Sequence, residues 1–152
     1  MSIDISQSEA DALIAMEKVC TDSKDYSISG VGDKVNIELE STDGQEKFRL
    51  TIIRGRINVE QVNMNNLARQ SLPLVRIDLN GPDHKNPDGE IIACPHIHIY
   101  REGFGDKWAV LLTDQRFEFV FSDVSNTWQT LQDMYIFCNI SKPPNIKKGL
   151  WT

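Results

Sequence analysis

His84, His96 and His98 are the only histidines in this chain of 152 residues, and all three fall within fifteen residues. Imidazole is the side chain best suited to moving protons or holding a metal near neutral pH. Arg76, Asp78, Cys94, Tyr100, Arg101 and Glu102 stand close to them in sequence. Any chemistry in this protein is expected to lie in this stretch.

Three readings fit these residue types. The first is metal-independent phosphodiester chemistry, as in a small endoribonuclease. Two imidazoles act as base and acid, which assigns His96 and His98, with His84 and Tyr100 in support. Arg76 and Arg101 supply charge, because the guanidinium fork matches phosphate oxygens, and Asp78 belongs to the same substrate-binding set. This reading needs no cofactor. The second is a metal site. His96-x-His98-x-x-x-Glu102 resembles the first metal motif of the cupin barrels, and two same-face histidines with a carboxylate suit zinc, iron or manganese. Cupins add a histidine from a later motif, and none follows His98 here. A fourth ligand has to come from His84, Asp78 or Cys94. The third reading is a polar surface on which His96 and His98 pair with Asp78 and Glu102.

These side chains need strands to hold them. Successive side chains on a strand point to opposite faces. In 74–80, Val75, Ile77 and Leu79 alternate with Arg76, Asp78 and Asn80; in 96–100, Ile97 and Ile99 alternate with His96, His98 and Tyr100. If the two segments pair antiparallel, Arg76 and Asp78 fall beside His98 and His96. The connection at 81–94 carries two turn signals, Gly81-Pro82 and Asn86-Pro-Asp-Gly89, and can fold His84 over the shared face.

Elsewhere, Ser6-x-x-Glu9 reads as a capping box opening a helix over about 7–19. Alternation predicts a hairpin of strands 34–40 and 47–53 around Thr42-Asp-Gly44, with a short strand at 56–62. Residues 63–71 read as a loop or helical turn. A further strand is expected at 108–112 and a helix over about 126–138, capped by Ser125, Asn126 or Thr127. The whole is one domain over 1–152, of the α+β class: an antiparallel meander of five to six strands with an N-terminal and a C-terminal helix packed on the sheet.

No apolar run approaches the roughly 20 residues of a membrane span. The start lacks a signal-peptide pattern. Three widely spaced cysteines, Cys20, Cys94 and Cys138, favour a reducing compartment, so a cytosolic protein is expected. The formal charge of −6 lies wholly in residues 1–50, with eleven acids against five bases; residues 51–152 balance at eleven each. No broad basic footprint for nucleic acid results. The acidic third is either a solvated face or a docking surface for a basic partner.

The run Arg76-x-Asp78, Gly81-Pro82-x-His84-x-Asn86-Pro-Asp-Gly89 and Cys94-Pro-His-Ile-His-Ile-Tyr-Arg-Glu-Gly-Phe-Gly-Asp-Lys-Trp-Ala109 resembles a family of bacterial and prophage-associated domains of unknown function. Arg54-Gly-Arg-Ile57, Arg69, Cys138-Asn-Ile140, Pro144 and Gly149-Leu150 are similar too. The resemblance brings no activity with it. Asn63–Leu67 departs from the more aromatic and basic stretch expected there. The leading expectation is a small cytosolic nuclease-like enzyme acting on RNA, in a toxin–antitoxin or phage-defence setting. The alternatives are an acidic interaction module, of the immunity or anti-defence kind, and a metal-binding protein.

Overall fold

The computed structural model describes residues 4–28 and 30–147; Gly149-Leu150 lies outside them. The chain opens with α1 (Gln7–Ala15), and the Ser6 Oγ accepts the Glu9 N–H at 3.2 Å, as the capping box predicts. The helix ends before residue 19 because Met16 turns extended and Lys18–Val19 (β1) joins a sheet. After the two-residue β2 (Asp25–Tyr26), β3 (Lys34–Ser41) and β4 (Lys47–Arg54) form the first hairpin, and β5 (Val62–Ala68) and β6 (Leu72–Leu79) the second. A small hairpin of β7 (His84–Lys85) and β8 (Ile91–Ile92) precedes β9 (His96–Ile99) and β10 (Ala109–Leu111). Then come α2 (Thr127–Phe137, with Asn126 as N-cap), β11 (Ile140–Lys142) and β12 (Asn145–Ile146).

The fold is α+β, with two α-helices and a large, mostly antiparallel sheet among the described residues. That sheet has eight strands, ordered β10-β9-β6-β5-β4-β3-β1-β11, where five or six were expected. β1 and β11 account for the extra width. They are only two and three residues long and pair in parallel, too short to carry a periodic signal. A second correction concerns 56–71. The expected strand at 56–62 is a loop up to residue 61, and the expected loop at 63–71 holds all of the central strand β5 but its first residue, Val62. Three asparagines in seven residues lower its strand propensity. The strand forms because Val62, Met64, Asn66 and Ala68 are buried at alternate positions between β4 and β6.

The core explains the register. Ile52, Met64, Ile77 and Ile97 are directly paired across four strands, and each is fully buried. Each such side chain contributes roughly 2 kcal/mol of hydrophobic stabilisation. A slip of one residue between any two strands would expose the whole set on one of them. Ala10 and Leu13 of α1 and Leu131, Met134 and Cys138 of α2 complete the cluster, together with Tyr135.

Lys18 is the other organising residue, and nothing in its sequence context marks it. It is fully buried, and its Nζ donates to Ile14 O at 2.9 Å, Met16 O at 2.9 Å and Cys138 O at 2.6 Å. It thereby ties the C-terminal carbonyls of α1 to the cap residue of α2, with the Phe48 ring 4.8 Å away. Cations belong at helix C-termini, and this one meets two. Burial nevertheless pulls the amine down to about 8.

Candidate metal and anion centre

The site is built where β6 and β9 pair. Their register sets Arg76 opposite His98 and Asp78 opposite His96, as alternation predicts. The Asp78 Oδ2 lies 2.9 Å from His96 Nε2 and 3.2 Å from His98 Nε2. One oxygen of Asp78 and one nitrogen of each imidazole all fall within 4.8 Å of one another. Arg76 adds its Nη2 at 2.9 Å from His98 Nε2 and its Nε at 3.3 Å from Asp78 Oδ2.

The second nitrogen of each ring decides what the first can do. His96 Nδ1 lies 3.2 Å from Ala93 O, and His98 Nδ1 lies 2.7 Å from Asp106 O. A carbonyl only accepts, so both Nδ1 atoms carry the proton. Arg76 only donates, so His98 Nε2 accepts from it and bears a lone pair. In its neutral form His96 Nε2 likewise bears a lone pair and faces a carboxylate oxygen.

Asp78 is buried, and burial by itself would push its carboxyl up. The Asp78-facing nitrogens of His96 and His98, when they carry a proton, and the charge of Arg76 outweigh that and hold it well below the usual carboxylate range. Its Oδ1 is 3.2 Å from Arg76 Nε and is buried with no aligned hydrogen-bond donor among the described residues.

The cluster is roofed, which the sequence suggested only loosely. His96 and His98 are 1% and 0% exposed, which does not fit the reading of a polar surface and agrees with the folding of the His84 connection over the shared face. The β7–β8 hairpin lies over them, and the His84 ring stands edge-on to His98 with centroids 4.6 Å apart. Its anchor is Asn86, a buried residue that sequence reasoning treated only as part of a turn. The Asn86 Nδ2 donates to Ala109 O at 3.0 Å, and its Oδ1 accepts from Ala109 N at 2.8 Å. The amide thus pairs with the edge strand β10 as another strand's backbone would. Asp106 was also missed. Besides its carbonyl bond to His98, its carboxylate takes Arg76 Nη1 at 3.0 Å. The Gly-Asp-Lys turn containing it gave no periodic signal that would place it.

Other expected residues go elsewhere. The Tyr100 hydroxyl accepts from Ile5 N and donates toward Asp4 Oδ1 and Ile5 O, at 3.0, 2.6 and 2.8 Å. The Glu102 Oε1 accepts the Gln7 N–H at 2.7 Å. Both residues therefore tie down the N-terminal segment and α1. Gly103, at φ 82°, and the Arg101–Gly105 bridge turn the chain away after β9, which is why Glu102 does not follow the histidines. Arg101 stacks on Trp108 at 4.4 Å. Cys94 Sγ reaches His96 Nδ1 at 3.6 Å, but burial raises its thiol, which disfavours a nucleophilic thiolate. A cleft of about 350 Å³ lined by Tyr100, Phe104, Asp106 and Lys107 touches the cluster only through Asp106. Four of the eleven acids of residues 1–50 pair with bases: Glu38 with Arg49, Glu40 with Lys47, and Glu9 and Glu46 with Arg69. No helix among the described residues is long and apolar enough to cross a membrane.

The fold and site define an α+β domain with a roofed cluster of two imidazoles and a carboxylate beside an arginine. The chain belongs to DUF6978, a family of unknown function, whose model matches residues 5–140. No curated protein and no solved structure matches it.

Proposed function

We propose that the protein binds a divalent transition-metal ion through His96, His98 and Asp78, and that the centre hydrolyses phosphate esters. The supporting observation is the direction of the two imidazoles. Both Nδ1–H groups are spent on backbone carbonyls, so both Nε2 atoms face the Asp78 carboxylate. Acceptors brought together in a buried site repel until a proton or a cation stands between them. Two imidazoles and a carboxylate are ligands that zinc, iron and manganese accept. Imidazoles whose far nitrogen is fixed by a carbonyl are the usual form of metal-bound histidine.

Arg76 supports the phosphoester half of the reading. It places a permanent cation at the rim, paired on one side with Asp78 and on the other with Asp106; an ion on His98 Nε2 displaces the Arg76 Nη2 from that nitrogen, and the released donor can receive a phosphate oxygen. The phosphodiester chemistry expected from the sequence is kept, but His96 and His98 become ligands in place of acid and base. Both rings are buried, with Nδ1 on a backbone carbonyl and Nε2 toward Asp78, so none of their nitrogens is turned toward a substrate.

Protein purified without an affinity tag should contain one zinc, iron or manganese ion per chain, or take one up. It should hydrolyse bis(p-nitrophenyl) phosphate or RNA, and lose that activity to a chelator. A preparation that neither holds nor takes up any of the three ions overturns the reading. A loaded protein inert on both esters overturns its phosphoester half.

A further inference from the structure

We infer that His84 is an additional ligand of the same centre, delivered by the β7–β8 hairpin and binding through Nδ1. The inference rests on the metal reading above and extends it from three ligands to four. The His84 Nε2 lies 2.7 Å from Lys107 O. Since the carbonyl can only accept, Nε2 carries the proton and Nδ1 the lone pair. No partner for that Nδ1 is found among the described residues.

All three imidazoles therefore follow one rule. Each gives one N–H to a backbone carbonyl, of Ala93, Asp106 or Lys107, and keeps the other nitrogen basic. A histidine that merely filled space would not need its tautomer fixed, and three fixed alike in one cluster is the pattern expected of a ligand set.

Ring spacing agrees. Metal–nitrogen bonds of about 2.1 Å place two imidazole centroids on one tetrahedral ion about 5 Å apart. The three pairs here are separated by 4.6, 5.0 and 6.0 Å. The widest gap is between His84 and His96, and only Asp78, His96 and His98 already hold their ligand atoms within 4.8 Å of one another, so His84 completes the set by a movement of its hairpin toward them. The hairpin has a reason to sit where it does, because Asn86 pins it to β10 two residues from His84. Three nitrogens and the Asp78 carboxylate make a set that selects zinc over harder ions.

The test is X-ray absorption at the zinc edge, with metal affinity, on the zinc-loaded full chain and its His84→Ala and His98→Ala variants. Imidazole scattering from three rings is expected in the wild type and from two in His84→Ala. Affinity in His84→Ala should fall by at least about tenfold, the lower end of what losing even an outer partner costs. An unchanged spectrum and affinity in His84→Ala, with both lost in His98→Ala, overturns the inference and leaves the three-ligand centre standing. A wild type that takes up no zinc overturns both. Circular dichroism of the metal-free variants guards against simple unfolding, and His84→Phe, which keeps the ring's packing, should repeat the His84→Ala result.

Discussion

Asp78 Oδ2 lies 2.9 Å from His96 Nε2, while the other nitrogen of that ring is held by the carbonyl of Ala93. In neutral His96 both facing atoms are acceptors, and the pair is balanced only by something positive between them. Asp78→Asn tests this. An amide can donate to either imidazole, so the metal-free variant should keep its fold within about 1 kcal/mol of wild type. Its metal response should vanish. Ligand at a hundredfold excess over Kd adds about 2.7 kcal/mol, which for a domain of this size raises Tm by about 5–10 °C. Zinc should produce that shift in the wild type and none in Asp78→Asn, as read by thermal denaturation.

Alternation made the pairing of Arg76 with His98 and of Asp78 with His96 legible, because the buried isoleucines on the other face fix the register. It could not show that the face would be roofed. That depends on Asn86 mimicking a strand backbone against Ala109, a contact across twenty-three residues with no periodic trace. Glu102 was misplaced for a related reason: strand parity was carried past Ile99, where the chain turns at Gly103. β5 was missed because burial between two strands overrode the low propensity of its asparagines.

Asn86 yields a prediction of its own. Asn86→Asp keeps an acceptor for Ala109 N but loses the donor to Ala109 O, leaving two buried acceptors facing each other. The cost should be about 2–3 kcal/mol. Metal affinity should weaken although no ligand of Asp78, His96 or His98 has changed. Chemical denaturation and a zinc titration read the two effects separately, and unaltered zinc binding would detach the hairpin from the centre.

Lys18 should make stability depend on pH in the alkaline range. Its folded value is about 8 and its ordinary value 10.5, the difference coming from burial. Below pH 8 both states hold the proton, and the cost of burying the charge is present in full. Between 8 and 10.5 the unfolded chain keeps the proton and the folded chain releases it, so stability rises with pH from this group. Lys18→Met should remove that rise. It should also lower stability by about 3 kcal/mol, since three buried carbonyls lose their donor. Denaturation midpoints of both proteins at pH 7 and pH 9.5 check the slope and the offset together.

Tyr100 separates structure from chemistry. Its position two residues after His98 marks it for the site, yet its hydroxyl is committed to Asp4 and to both backbone groups of Ile5. Tyr100→Phe removes those bonds and keeps the packed ring. It should destabilise the fold by about 1–2 kcal/mol through the unpaired Ile5 N–H, and loosen the segment ahead of α1. Metal content, zinc affinity and phosphoester hydrolysis should match the wild type once the variant is assayed well below its Tm. Amide exchange at Ile5 locates the loosening. A Tyr100→Phe protein that stays as stable as wild type but loses hydrolysis would return the phenol to the reacting groups beside Arg76.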